Sequence, residues 1–577
     1  MSRRYFQSEL TYLRELGREF AIANPSLAGM LSERGYDPDV ERLLEGFAFL
    51  TAKIRERVEE GAPEVSLSLA EHLAPPLVAP LPAVTVVEFT PTTVKRERVR
   101  VPAGAELLST AVDGTRCRFR TTSSVDLVPL ELRDVAVQAA SRESSRLVLD
   151  FAMAPGGADY VFHADGIRLF FHGALGTSAL LYTWLLRHCR GLTLRSSRRL
   201  QGLRLPSDAI RPVGLADDHA LFPWPERTPA GIRHILEFFA LPERLLFVDI
   251  VGLDRAAAAA AERFVIEFDL VDAPPAPTRI DRDNIRLGCA PAVNLFATGA
   301  EPLRADPLAG PQQVHPADLP RGHGEVFAVT SVVGMRPGRG ARRTYRHFLD
   351  FEHQGGESYF SLTRRPSPID GATETFLEIA APRDAAVDDA QEVLSIEVLA
   401  TNRSLAARLG PGDLRFPTSS SPTGCSFTNI TRVSKPVRPP LDGDLHWRLL
   451  AHLLSGQRIS GDLVALRAAL SLYNLHRDVD LQAGKANDLR IESIRANEAR
   501  PVTRAIARTP VRGTQTALVL DETRLSGPGE AFLFGCVLDE LLASQVSINS
   551  FNELVVELHP SRATYRWPLR CGDRRPA

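Results

Sequence analysis

The chain has 577 residues, too many for one hydrophobic core, and about three or four domains are expected. Apolar residues make up 44% and charged residues 24%, which is ordinary for a soluble globular protein. A formal net charge of -2 leaves no bulk field that would favour nucleic acid or an anionic membrane.

The first element is a helix over "YFQSELTYLRELGREFAIANP" (5–25). Phe6, Leu10, Leu13, Gly17 and Phe20 step by four, three, four and three, a heptad-like seam. Gly17 leaves room in that seam for a second helix to come close. Pro25 ends the helix by pushing Asn24 out of the α region. A second helix is expected from about Asp39 to Glu60, with Val40, Leu43, Leu44, Phe47, Leu50, Ile54 and Val58 on one face. A third covers Ser66 to His72. These helices cannot stand alone. Ordering roughly 19 residues costs about 1–2 kcal/mol each, and a handful of seam residues return about 1.5–3 kcal/mol each at best. The seam must be covered by the second helix, by the body, or by another chain. Burial within the chain is the default explanation for apolar residues, the front seam included.

After "APPLVAPLP" (74–82) the pattern turns to strands. "AVTVVEF", "KRERVRVPAGAELLS", "CRFRTTSSVDLVPLEL" and "IRLFFHG" (167–173) are strands and turns. "SALLYTWLLRHC" (178–189) is a helix among them. "GIRHILEFFALPERLLFVDIVGL" (231–253) gives a helix, a hinge at Pro242, then a strand. The six alanines 256–261 read as a short helical or loop insertion, and "DAPPAPTR" (272–279) as a linker. A second β-rich region runs from about 325 to 432. "SKPVRPPLDGD" (434–444) marks a boundary, beyond which "HWRLLAHLL" and "LVALRAALSLYNL" are helical. "TALVLD", "FLFGCVLDELLASQV" and "ELVVELH" follow as strand, helix, strand. No internal repeat is visible. The expected fold is therefore α+β and multidomain: an N-terminal helical arm (1–75), a first β-rich domain with inserted helices (76–255), a second β-rich domain (256–436) and a C-terminal α+β domain (437–577).

Basic charge is almost all arginine; the lysines are Lys53, Lys95, Lys435 and Lys485. Codon bias in a GC-rich genome explains this, as does the use of planar guanidinium forks at interfaces. Cys117, Cys189, Cys289, Cys425, Cys536 and Cys571 are scattered, without a CxxC pair, so reduced thiols in a cytosol are expected. "MSRRYFQSELTYL" has no apolar signal core, and no apolar run is long enough to span a bilayer. A cytoplasmic location is expected.

No catalytic pattern emerges. "AGKAN" lacks the remaining residues of a phosphate-binding loop. "GRGARR" (338–343) follows no clean strand and reads as an exposed loop. Arg336, Arg339, Arg342, Arg343 and Arg346 around it suit phosphate or an acidic partner, or form a solvated loop. His315 with His323, His347 with His353, and His446 with His452 lack the companions of a metal site. No cofactor and no metal are expected.

Several colinear blocks resemble one family, the TssF baseplate subunits of bacterial type VI secretion systems. In that family an "ELxYLRELGxEFA" segment precedes a "DPxVERLLEGFAFLxA" helix. Here they read "YFQSELTYLRELGREFAIANPSLAGML" and "DPDVERLLEGFAFLTAKIRERVEE". The likeness continues through "VPAGAELLS", "GIRHILEFFALPERLLFVDI", "CAPAVNLFATGAEPLRAD", "LSIEVLATNRSLAARL", "KPVRPPLDGDLHWRLLAHL" and "FGCVLDELLASQVSINSFNEL", covering Tyr5 to about Leu554. There are departures. Ala400 stands where the family usually has Cys, Ile232 where it has Tyr, and "LSGQRISGD" replaces an Asn-Tyr-Leu-Ser-Leu run. They mark a divergent branch.

The resemblance implies a structural protein, related in architecture to the wedge proteins of contractile-tail baseplates. Such proteins pair with a second copy of themselves and with TssG, are joined by TssK and the sheath-initiating TssE, and ring the VgrG spike. Sheath and membrane-complex proteins are reached indirectly, and neither nucleic acid nor membrane insertion is involved. The front helices, with Phe6, Leu10, Leu13, Gly17, Phe20, Val40, Leu43, Leu44, Phe47, Leu50 and Ile54, would then join a bundle shared between chains. The rival reading is a β-rich polysaccharide-binding protein or enzyme. It is weakened by having only 4 Trp and 9 Tyr to build stacking platforms.

Overall fold

A computed structural model describes residues 3–23, 38–59, 63–92, 99–139, 144–155, 157, 161–162, 166–196, 199–226, 228–254, 262–276, 279–306, 310–335, 342–348, 358–380, 392–439, 448–452, 459–506 and 508–572. The six alanines 256–261 lie outside these residues. The chain is a mixed α and β protein with five main sheets and a short two-stranded one among the described residues.

Three helices lead: α1 (Arg3–Ala23), α2 (Pro38–Glu59) and α3 (Pro63–Leu73). The first sheet is antiparallel and six-stranded, in the order Leu414–Pro417, Glu106–Val112, Thr115–Thr121, Cys289–Val293, Val84–Pro91, Cys425–Asn429. A second, of five strands, runs Arg199–Pro206, Cys189–Ser196, Arg263–Val271, Ser144–Met153, Leu130–Ala139. A third, of four short strands, is built on Ile167–Phe171 and Phe247–Ile250. The fourth is the eight-stranded sheet of the expected second β-rich region. Its centre is Val393–Thr401, Glu325–Met335, Arg342–His347, Ser358–Pro366 and Thr373–Ala380.

Helix α4 (Leu175–Thr183) continues into a π turn, Trp184–His188, which leads directly into the next strand. Helix α5 (Ala230–Ala240) ends before a 3-10 turn at Pro242–Leu245, the expected hinge. In the C-terminal part α6 (Leu463–Ser471) and α7 (Leu481–Ser493) are each started by an aspartate. Asp462 accepts from Ala465 N–H, and Asp480 from Gln482 and Ala483 N–H. The last helix, α8 (Pro528–Ala543), is mostly apolar and buried almost throughout, its Glu530 paired with Arg490 and its Asp539 with Arg570.

Helix α8 packs on α4 and α5 and so sits in the core of the first half of the chain. Glycine permits the approach. A Cβ at Gly231 would lie 2.4 Å from Leu541 Cα, and one at Gly529 would lie 2.4 Å from Leu180 N. One main core therefore runs from Ala74 to Trp567, with separate small cores in the first sheet and the eight-stranded sheet.

The sheets do not follow the divisions expected from sequence. The division at 255/256 cuts the five-stranded sheet, because Arg263–Val271 pairs with both Ser144–Met153 and Cys189–Ser196. Its alternating "RFVIEFDL" needs neighbours on both sides. Residues 272–276 are no free linker either, since Trp184 Nε1 donates to the Pro274 carbonyl at 2.9 Å and Ala273 packs on the core. At the other boundary Val437 bridges Leu81 by two backbone hydrogen bonds. "AGKAN" is part of α7.

Candidate assembly surface

Within the arm, α1 and α2 pair with each other, and α3 is the piece fixed to the body. Leu67 and Ala70 of α3 form a small core with Val78 and Leu450. Arg364, in the eight-stranded sheet, reaches Glu71 at 2.5 Å and also donates to the Val326 and Phe327 carbonyls. Thr228 Oγ1 donates to the Leu73 carbonyl at 2.6 Å.

The α1–α2 hairpin closes on its small side chains. Ala48 and Ala52 of α2 and Leu10 of α1 are buried, while Phe6, Leu13, Gly17 and Leu44 are half-buried. The single α2 face expected from sequence is split. Leu44 shares the covered side with Ala48 and Ala52, spaced by four. Leu43, Phe47 and Leu50 point outward, 73%, 57% and 59% exposed. The missed signal was the alanine pair, which lets two helices meet closely and turns the large residues away. Phe20, expected in the α1 seam, is exposed and lies in line with exposed Tyr12 and Leu16, a stripe at spacings of four that the sequence reading passed over. The side chains of Val40 and Ile54 lie outside those described.

A depression of about 1160 Å³ lies elsewhere, where α3, α5 and α8 meet the last strand. Asp217, Glu226, Glu540 and Trp224 line it with Arg233, Arg570 and Cys571. Asp217 is held by Arg233 at 2.8 Å and Glu540 by Arg570 at 2.7 Å. Burial raises the Glu540 carboxyl above its usual range. Trp224 is not a free platform, because its Nε1 donates to buried Glu237 at 2.9 Å, which also accepts from Leu221 N–H and lies 2.8 Å from Arg244. These pairs tie helices and loop together.

Among the described residues no three of His, Cys, Asp and Glu gather as a metal site. His315 Nε2 lies 3.3 Å from the Leu319 carbonyl, and His323 Nδ1 lies 2.7 Å from Thr115 Oγ1. His347 and His452 sit edge-on to Phe360 and Tyr473. His353 and His446 lie outside the described residues. A strand, Glu325–Met335, does precede "GRGARR", contrary to the sequence reading, and Arg342 and Arg343 open the next strand. Arg343 lies 3.8 Å from Glu392. Arg336 and Arg339 lie outside the described residues.

A sequence profile described as "Type VI secretion system, TssF" matches residues 2–574. The chain belongs to the TssF family. It is 30% identical to the type VI secretion system component TssF1 of Pseudomonas aeruginosa, over 99% of this chain and 98% of that one. A chain in a cryo-electron microscopy structure of the TssK-TssF-TssG baseplate subcomplex superposes with a TM-score of 0.77 at 27% identity, covering 93% of this chain and 100% of that one. A chain of a type VI secretion baseplate complex gives 0.64 at 25% identity, covering 99% and 100%. As a TssF protein the chain is a component of the type VI secretion baseplate. The departures at Ala400 and Ile232 are buried positions inside this shared fold. Among the described residues no helix is long and apolar enough to cross a membrane.

Proposed function

We propose that this TssF chain is a structural wedge subunit that carries out no catalytic turnover and acts in the cytoplasm. It assembles with TssG, TssE and TssK around a VgrG spike, with a second copy of itself in the wedge. The similar chain in the TssK-TssF-TssG subcomplex supports TssG and TssK as partners. One observation carries the role of the arm: Leu43, Phe47 and Leu50 form an uncovered apolar stripe on a helical hairpin held to the body through α3. Covering such side chains returns about 1.5–3 kcal/mol each, so the stripe favours a helical partner that completes the bundle, and TssG is the partner assigned to it.

The test is co-expression with TssG and TssK. Leu43→Glu with Phe47→Glu, and separately Leu13→Glu or an enlarged Gly17, should abolish co-purification with TssG while circular dichroism shows the β-rich body intact. Normal assembly of these variants would remove the shared-bundle role.

A further inference from the structure

The C-terminal sheet carries an extension that takes no part in the core. Strands Ile494–Ile506 and Thr509–Asp521 pair along their whole length, from Ile494 opposite Leu520 to Ile506 opposite Thr509. The next strand, Phe551–His559, accompanies Thr509–Asp521 only from Thr514 onward. Residues 502–506 and 509–513 therefore pair only with each other, as a two-stranded ribbon running past the edge of the sheet. Its side chains are largely exposed on both faces, with only Val502, Ile506, Val511 and Gly513 partly covered. Two strands without a covering layer are marginal in water.

The ribbon is strongly basic. It holds Arg504, Arg508 and Arg512 and no carboxylate, and the strand leading into it adds Arg495 and Arg500 beside Glu498. Arg495 lies near Asp521 at 3.6 Å, Arg500 near Glu498 at 2.8 Å, and Arg504 near Glu553 at 2.9 Å. Among the described residues Arg508 and Arg512 have no carboxylate at ion-pair distance. Arg508 stands at the tip with φ 71, a left-handed backbone that glycine or asparagine adopts more easily. A long cation occupies this left-handed position.

The kind of partner follows from what the ribbon lacks. Addition of a strand to its outer edge is opposed by Pro501, which has no N–H and interrupts the edge. Recognition must go through side chains. No aromatic residue occurs between 494 and 513, so nothing can stack on bases. Guanidinium groups form planar forked pairs with carboxylates and phosphates alike, and in an assembly of protein subunits it is side-chain carboxylates that a neighbour presents. We propose that the ribbon is a docking arm that lies on a carboxylate-rich surface of a neighbouring protein subunit, with Arg508 and Arg512 paired to that surface. The proposal rests on the baseplate reading, since a multi-subunit assembly supplies such neighbours.

The experiment uses the purified complex of the full chain with TssG and TssK, and the complete assembly from cells. A photo-crosslinking amino acid in place of Arg508 should join an acid-rich peptide of another protein subunit. Arg508→Glu with Arg512→Glu should lower that subunit's retention at least tenfold at physiological salt, and lysines in place of the crosslinked carboxylates should restore it. Arg508→Asn removes the charge while suiting the turn, and should lower retention without loss of folding. Crosslinks confined to this chain, crosslinks to nucleic acid or lipid, or unchanged retention in the charge-reversed variant would overturn the proposal while the TssG–TssK complex still forms. If the unaltered chain forms no complex with TssG and TssK, the proposed partnership fails and the ribbon proposal falls with it.

Discussion

Arg364 and Glu71 lie 293 residues apart in the chain and 2.5 Å apart in space, and their contact fastens the helical arm to the eight-stranded sheet. The guanidinium is buried and also holds the Val326 and Phe327 carbonyls. It thereby couples a helix to the backbone of the sheet's central strand.

Breaking that pair should loosen the arm. Arg364→Ala strips partners from two carbonyls and from a largely buried carboxylate, so a loss of about 3–5 kcal/mol is expected. Glu71→Ala should cost less, about 1–3 kcal/mol, because the guanidinium keeps its carbonyl acceptors. Urea unfolding gives the size, and limited proteolysis should show faster cutting near α3 in both variants.

Glycines in two settings should respond with opposite signs. Gly231→Ala places a methyl group against the backbone of α8 and should cost about 1–3 kcal/mol by forcing α5 and α8 apart. Gly46→Ala, in α2 with nothing within 4 Å, should stabilise by about 0.5–1 kcal/mol through helix propensity alone. Thermal unfolding of the two variants checks the contrast.

The hairpin should distinguish its two α2 stripes. Ala48→Leu adds bulk where the helices meet and should cost about 1–3 kcal/mol. Leu50→Glu, on the outward stripe, should change the stability of the free chain by about 0.5 kcal/mol or less. Hydrogen exchange of α1 and α2 reads both.

Acid should weaken the C-terminal part through His476. Burial, aided by Arg490 and opposed by Asp480, pushes its imidazole down to about 4. The unfolded chain takes up this proton near pH 6.5 while the folded one resists until about 4. Its contribution is intact above about pH 6.5, falls as pH drops toward 4, and is flat below that. The full loss is of the order of 3 kcal/mol. In His476→Gln this part of the pH dependence should vanish, as followed by urea unfolding at a series of pH values.

Much of this was legible in the residues. α1, α2, α5 and α8 carry enough apolar side chains to declare themselves, and the strands of the eight-stranded sheet show plain alternation. Three things stayed hidden. α7 and the ribbon between 502 and 513 are too polar to show periodicity, because one is capped and covered only in part and the other is solvated on both faces. The joining of Arg263–Val271 to Ser144–Met153, more than a hundred residues earlier, is a long-range pairing that no local pattern encodes. On α2, Leu43 and Leu44 are adjacent and equally apolar, and only the alanines at 48 and 52 tell which of them turns inward.

The seating of α8 between α4 and α5 sets an order of events during synthesis. The ribosome releases α4 and α5 long before α8, so the nascent polypeptide carries an open apolar cleft until its closing helix arrives. Throughout that interval the α1–α2 hairpin, earlier in the chain, is already outside the exit tunnel and free to meet a companion. Docking of the arm can thus precede completion of the body, and a premature stop before Pro528 would leave the cleft unfilled and expose it to aggregation.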